Sequence, residues 1–232
     1  MKKIEKEILD IINPTAQEVY EHKFTSLKDT CSDPNPPYTM RITPLYHLFS
    51  HYYSIMSQVS MYEEEEVDIL SKEQMDYLIK NSPLHYLYPA EKQSYSDADS
   101  FHNPLLIAMD QSEKMKLTDD QYKYLIENSD LSVGKNEGNC ALIFALYRKH
   151  ANIFDLNEEN WNLLKKSARD LDIEYINKWE NKYNLQDDYF IMYPNLADEL
   201  RAIIREQHII AAKEDLESSL GSNHEKKKAI KM

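Results

Sequence analysis

Glycine is scarce in this chain, with three residues among 232. Folds that bind phosphate on glycine-rich loops are therefore disfavoured, because glycine is what lets the backbone approach the phosphate closely. All-β folds with many tight turns usually need more glycine as well. Long segments rich in Leu, Ile, Lys and Glu predict an all-α protein instead.

Cysteine and long apolar runs are scarce too. Cys31 and Cys140 lie far apart, which indicates reduced thiols rather than a disulfide framework. No apolar run approaches the roughly 20 residues that span a bilayer. Charged residues at 5–7 interrupt the apolar N-terminal segment, so no signal peptide is predicted. We expect a cytoplasmic protein, or one secreted into a host cell by a route that leaves no trace in the sequence.

Basic residues are outnumbered by acidic ones. There are 27 Lys and Arg against 40 Asp and Glu, and the formal net charge is −13. A field of that sign repels a phosphate backbone, so no nucleic-acid partner is expected. Hydrophobic residues make up 42% of the chain, enough to bury a core, which argues against disorder over the whole length.

The most informative pattern is a 15-residue sequence segment, here called the repeated phrase, that occurs twice with small changes. LSKEQMDYLIKNSPL begins at Leu70, and LTDDQYKYLIENSDL begins at Leu117. In each, a hydroxyl residue followed three residues later by Gln forms a capping box, and the apolar residues after it share one helical face. The Asn after them is tolerated in the left-handed conformation that ends helices, so each phrase predicts one short helix. The pairs are Ser71 with Gln74 and Thr118 with Gln121, and the helices end at Asn81 and Asn128.

A weaker third copy, LNEENWNLLKKSARDL, begins at Leu156 with Asn157 as its cap. Each copy follows another recurring stretch, in which Pro or Ala at the second position predicts the start of a first helix. These stretches are TPLYHLF (43–49), NPLLIAM (103–109) and CALIFAL (140–146). Because a unit of two short helices cannot bury its apolar face alone, a stacked array is expected.

The stretch EGNCALIFAL, which begins at Glu137, resembles the opening of an ankyrin repeat, where an acidic residue and Gly precede Thr-Pro-Leu-His and then Ala. Gly138 stands at the turn glycine, Leu142 at the Leu and Ala145 at the Ala. The two earlier stretches keep Pro104, Leu105 and Ala108, and Thr43, Pro44 and Leu45. The units are longer than the usual 33 residues. The chain is thus similar to the degenerate ankyrin-like repeats of intracellular bacteria.

This resemblance divides the chain into four parts. Residues 1–40 are predicted to form an N-terminal helical cap and a Pro-rich loop, and residues 41–185 the ankyrin-like repeats. Residues 186–220 are predicted to form a C-terminal capping helix, and residues 221–232 a disordered tail. Within the N-terminal cap, Asn13 and Pro14 are predicted to end a first helix, and Thr15 to begin a second.

The resemblance implies a non-catalytic protein–protein interaction module, without a cofactor or metal. By resemblance to ankyrin proteins, a partner protein would contact the concave face, formed by the first helices, and the linkers between units. The acidic chain predicts a partner with a basic or mixed surface. The candidate contact residues are Tyr46, His47, Tyr95, Asp97, Asp99, Lys135, Asn136, Glu137, Tyr147 and Arg148.

Two alternatives remain open. One is a metal-dependent enzyme or a toxin-like effector with its site in the inserts 50–69 and 85–102. Its histidines would be His47, His51, His85 and His102, together with the carboxylates at 63–66. His47 and His51 share a helical face, but the Glu that follows the first His in metalloprotease helices is missing. The other is a regulator that dimerises through its C-terminal helix.

Overall fold

The computed structural model of the chain describes residues 2–32, 41–59, 68–84, 103–131, 140–174 and 194–229. These residues are mostly helical, in agreement with the all-α prediction. The helices are α1 (Lys3–Tyr20), α2 (Pro44–Ser50), α3 (Tyr52–Val59), α4 (Lys72–Asn81), α5 (Pro104–Asp110), α6 (Asp119–Asn128), α7 (Ala141–His150), α8 (Glu158–Lys165) and α9 (Pro194–Ala229). A 3₁₀ turn, Lys166–Asp170, follows α8. Strands β1 (Cys31–Ser32) and β2 (Arg41–Ile42) pair antiparallel across the Pro-rich segment.

The two repeated phrases form helices α4 and α6, and both capping boxes are confirmed. Ser71 accepts from the amide of Gln74, and the Gln74 side chain accepts from the amide of Ser71. Thr118 and Gln121 repeat both bonds. The third copy forms α8, where the side chain of Asn157 accepts from the amide of residue 160.

The left-handed conformation predicted for the ends of α4 and α6 is wrong. Asn81 and Asn128 do not adopt the left-handed conformation, since among the described residues only Glu21 and Asn152 have positive φ outside glycine. Each Asn instead stays in its helix and donates from its side chain to the carbonyl four residues earlier, at 2.8 Å. The next residue, Ser82 or Ser129, then leaves the helix in an extended conformation instead of a left-handed one.

The helices lie in two rows that contact each other in order. In one row α2 packs against α5 and α5 against α7, while in the other α4 packs against α6 and α6 against α8. Helix α1 covers the first end by packing on α2, α3 and α4. Helix α9 covers the last end by packing on α7, α8 and the 3₁₀ turn. One continuous apolar core runs through all of these elements.

Buried amides connect the second row from helix to helix. Gln121, which already completes the capping box of α6, donates to the carboxylate of Asp76 in α4 at 2.7 Å. Asn160 occupies the same position in α8 and donates to the backbone carbonyl of Asp119 in α6 at 2.9 Å. Both amides are nearly inaccessible to solvent, so each bond replaces one that water can no longer make. Gln121 therefore both caps its own helix and joins it to the preceding one, and Asn160 joins α8 to α6 from the same position.

Replacing Asn160 with alanine is expected to lower the free energy of unfolding by about 1–2 kcal/mol, because the carbonyl of Asp119 loses a buried donor. The neighbouring Asn162 is exposed, and its replacement by alanine serves as the matched control. Urea unfolding should show a lower midpoint for the first variant at an unchanged slope. Equal midpoints for the two variants would contradict the role given to this amide.

Helix α1 continues through Pro14, where the sequence predicted a break. Pro14 has no amide hydrogen to donate to the carbonyl of Asp10. Both residues lie on the exposed side of the helix, so water can reach that carbonyl. Thr15, predicted to begin a second helix, is instead buried inside α1 and donates to the carbonyl of Ile12 at 3.0 Å. The buried stripe of α1 therefore stays continuous across the proline.

The C-terminal helix is longer than the sequence predicted. Its buried stripe consists of Leu196, Leu200, Ile203 and Ile204. The helix then runs past Leu220 and through Gly221 to Ala229, over most of the predicted disordered tail. A glycine inside a helix costs only about 1 kcal/mol, and the Glu and Lys residues that follow it are good helix formers. None of the helices in the described part of the chain combines the length and apolar character that a membrane span requires.

Candidate protein-binding surface

A pocket of about 400 Å³ lies where α6 and the 3₁₀ turn end. We call it the acidic pocket and define it by the residues that line it: Ile126, Glu127, Ser129, Asp130, Leu131, Ser167, Asp170 and Leu171. Ile126 and Leu171 are buried and form its apolar floor, whereas Glu127, Asp130 and Asp170 are exposed. The pocket thus combines an apolar base with carboxylates at its rim.

The electrostatics of the acidic pocket favour a cation. The last carbonyls of a helix carry partial negative charge, which adds to that of the carboxylates. Helix α6 has no basic residue in its last turn. Arg169 directly precedes Asp170 in the sequence. It donates from both terminal guanidinium nitrogens to the carboxylate of Glu214 in α9, at 2.9 and 3.1 Å.

One polar atom of the acidic pocket is left without a bond. The hydroxyl oxygen of Ser129 is inaccessible to solvent and has no hydrogen-bond partner among the described residues. The hydroxyl of Ser167, by contrast, donates to the carbonyl of Leu164 at 2.7 Å. The Ser129 oxygen therefore faces the protein interior and is not a contact for a guest in the pocket.

The acidic pocket lies at the start of a linker between units. Leu131 is the last described residue before the gap at 132–139. The side chain of Asn103, which caps α5, donates to the carbonyl of Asp130 at 3.0 Å and ties this start to the first row. The linker residues predicted from the sequence to bind a partner follow directly along the chain.

Of the ten predicted contact residues, four lie in the described part of the chain. Tyr46 and Tyr147 are partly buried against the core and keep some exposed surface. His47 is fully buried and Arg148 is 8% exposed, so neither presents a surface to a partner. The others, which lie outside the described residues, are Tyr95, Asp97, Asp99, Lys135, Asn136 and Glu137.

Arg148 serves the fold and not the surface. Its guanidinium donates to the carbonyl of Asp110 at 3.0 Å and lies 3.7 Å from the carboxylate of the same residue. Asp110 is the last residue of α5, so the positive charge sits at the negative end of that helix. The side chain therefore joins α7 to the helix that precedes it in the first row.

His47 and His51 face α1. The Nε2 atom of His47 lies 3.0 Å from the hydroxyl of Thr15, and that of His51 lies 2.9 Å from the hydroxyl of Tyr20. The two imidazole rings are 4.8 Å apart between centroids. Both Nε2 atoms are thus engaged with hydroxyl groups of the N-terminal helix.

The metal-dependent alternative finds no site in the described ranges, where no three His, Cys, Asp or Glu residues lie close enough to hold a metal ion. The carboxylates at 63–66 and the other two histidines named for it, His85 and His102, lie outside those ranges. Cys140 is buried, and burial raises the pKa of its thiol, which disfavours the nucleophilic thiolate.

A second pocket, of about 550 Å³, lies beyond the C-terminus of α7, and its two basic residues, Lys149 and His150, are already paired. Glu199 of α9 accepts from Lys149 at 3.1 Å and pairs with His150 at 2.8 Å. Partial burial alone would raise the pKa of Glu199, but the hydrogen bonds from these two residues outweigh it and lower the pKa. This cluster fastens α9 to α7, so we take the acidic pocket as the candidate site.

The sequence held a signal for the acidic pocket that was not used to predict it. An Asp-Leu pair ends the second helix in two units, as Asp130-Leu131 and Asp170-Leu171. In both pairs the carboxylate is exposed and the leucine faces the pocket. Comparison of the chain with protein-family models, with curated proteins and with solved structures found no match.

Proposed function

We propose that this chain is a non-catalytic protein–protein interaction module that binds a basic segment of a partner protein. The observation that carries the proposal is the acidic pocket, where three exposed carboxylates and two helix ends surround an apolar floor at the start of a linker. The proposal keeps the linkers predicted from the sequence and moves the binding surface from the concave face of the first helices to this end of the second row.

The ankyrin-like interpretation is part of this proposal. It is supported by three successive helix pairs whose first helices contact one another in order, and whose second helices do the same. The capping boxes of α4 and α6 and the bonds from Gln121 and Asn160 recur from unit to unit. Arrays of this kind present linkers along one edge and bind proteins there.

The expected guest is a lysine or arginine side chain with an apolar neighbour. The charged head would meet Glu127, Asp130 and Asp170, while the apolar neighbour would cover Ile126 and Leu171. A single exposed ion pair contributes only about 0.2–1 kcal/mol, so we expect several contacts to act together. The net charge of −13 would add long-range attraction that speeds the encounter.

The test begins with a displayed library of random 12-residue peptides, selected on the full chain. We expect basic peptides to be enriched and their binding to weaken as salt is added, because exposed ion pairs are screened. The triple variant Glu127→Gln, Asp130→Asn, Asp170→Asn should bind the selected peptides about tenfold or more weakly, which corresponds to about 1.4 kcal/mol. Calorimetric titration measures both affinities.

A matched control changes the net charge by the same amount elsewhere. The variant Glu73→Gln, Glu113→Gln, Glu158→Gln neutralises three exposed carboxylates outside the pocket. It should retain most of the affinity, because only long-range attraction is reduced. If the two triple variants lose affinity equally, or if the selected peptides are not basic, the acidic pocket is not the binding site.

A further inference from the structure

Helix α9 has a second apolar stripe on the side that faces away from the body. Ala202, Ile209 and Leu216 are spaced seven residues apart, so they lie along one line of the helix. Ile209 is 56% exposed and Leu216 is 60% exposed, the two highest values for large apolar side chains in the described residues. The buried stripe that includes Leu200 and Ile204 lies on the opposite side.

From this second stripe we propose that α9 pairs antiparallel with the α9 helix of a second copy of this chain, centred on Ile209. This proposal does not depend on the acidic pocket, because it involves a different face of the molecule. An antiparallel pair centred on Ile209 would place the Ile209 side chains of the two copies together. It would also place Ala202 of each copy against Leu216 of the other, so that a small side chain always meets a large one.

Two charges on one flank of the stripe fit the same arrangement. Glu206 and Lys213 are exposed and lie on one flank of the stripe, seven residues apart. In an antiparallel pair centred on Ile209, Glu206 of each copy faces Lys213 of the other, which gives two symmetric ion pairs. Neither residue forms an ion pair within the described part of the chain. Antiparallel helix dipoles attract as well.

The part of the molecule that the structure describes leaves room for this partner. The described elements that contact α9, namely α7, α8 and the 3₁₀ turn, lie against its buried stripe. A second helix on the opposite side therefore approaches without meeting them. The same patch on both copies forms a two-fold symmetric interface, the commonest arrangement of soluble homodimers.

Sedimentation equilibrium of the full chain, between about 1 and 500 μM, tests the proposal. With few apolar residues in the interface we expect a dissociation constant of about 10–100 μM. Ile209→Glu should weaken dimerisation at least tenfold, because two carboxylates then meet on the symmetry axis. Val19→Glu is the matched control, since Val19 is another exposed apolar residue, on α1, and should leave dimerisation unchanged.

Charge reversal tests the pairing itself. Glu206→Lys alone and Lys213→Glu alone should each weaken the dimer, and the double variant should restore it, because the ion pairs re-form with reversed sign. A chain that stays monomeric throughout the concentration range would overturn the proposal. So would a double variant that dimerises no better than the single ones.

Disulfide formation between introduced cysteines tests whether the two α9 helices are antiparallel. Ile209→Cys should cross-link two copies on oxidation, because the new cysteines meet at the centre. Ala202→Cys should not, since in the antiparallel pair the two introduced cysteines lie about 21 Å apart along the axis, far beyond the roughly 7 Å limit for a disulfide. The native Cys31 and Cys140 are buried and give little background. Efficient cross-linking through residue 202 would indicate parallel helices and overturn the proposed arrangement.

Discussion

Replacing Leu125 with alanine is expected to lower the free energy of unfolding by about 2–5 kcal/mol. Leu125 is fully buried in α6, which contacts α4, α5 and α8. Removing its side chain would leave a cavity between neighbouring units that the packed helices cannot fill completely. Such a loss is a large part of the 5–15 kcal/mol by which domains are usually stable. Urea unfolding followed by circular dichroism measures it.

The repeated sequence supplies matched positions for this experiment. Leu78 in α4 and Leu164 in α8 are also fully buried. Replacing either with alanine should lower the free energy of unfolding by a similar amount. Glu113→Ala, at an exposed position, should change the free energy of unfolding by no more than about 0.5 kcal/mol. A cost below about 1 kcal/mol at Leu125 would mean that the interior between units is not tightly packed.

Features written in short-range sequence patterns could be predicted. A Ser or Thr with Gln three residues later determines where α4 and α6 begin, because both partners of the capping box lie within one helical turn. The apolar stripes of α1 and α9 follow from spacing alone, and Ile8, Ile12, Leu196 and Leu200 are all buried. These elements need no knowledge of the rest of the chain.

Features that depend on surroundings were predicted less well. A proline inside a helix costs less where water can reach the carbonyl that it leaves unpaired, and here Asp10 is exposed. Asn128 can end a helix or remain in it, and the sequence does not decide between these conformations. The acidic pocket forms where the ends of α6 and the 3₁₀ turn come together, so no local pattern describes its shape.

His47 and Arg148, the two predicted contact residues that are buried, illustrate both kinds of feature. His47 occupies the fifth position of its stretch, where the other two units have Ile107 and Phe144, and all three are buried. Alignment of the three stretches therefore already indicated a core position. For Arg148 there was no such signal, because its burial depends on a long side chain reaching Asp110 in the preceding unit.

The burial of His47 leads to the second large prediction, a loss of stability in mild acid. Burial, followed by repulsion from His51, lowers the pKa of His47 to about 3. The hydroxyl proton of Thr15 goes to the carbonyl of Ile12, so Thr15 accepts from Nε2 of the neutral imidazole. A second proton would have to reside on Nδ1, which is buried without a hydrogen-bond partner among the described residues.

The direction of this pH effect follows from the protonation of His47 in the folded and unfolded states. In the unfolded chain a histidine takes up its proton near pH 6.5, whereas in the folded chain His47 stays neutral until about pH 3. Between these values acid favours the unfolded state, by about 1.4 kcal/mol for each pH unit. Between pH 8 and pH 4.5 the protein should therefore lose about 2.7 kcal/mol through this one residue, with about 2.3 kcal/mol of the loss below pH 6.5. Above about pH 7.5 the residue contributes almost no pH dependence.

The variant His47→Ile isolates this contribution, since isoleucine already occupies the matching position at residue 107. Carboxylates such as Glu199 also titrate in acid, so the measured quantity is the difference between the wild-type and variant free energies of unfolding at each pH. That difference should grow steadily in favour of the variant as the pH falls from 6.5. The control His208→Gln removes an exposed histidine and should follow the wild type. Parallel curves for the wild type and His47→Ile would show that His47 is protonated in the folded protein, and that the contact between α1 and α2 opens to admit the charge.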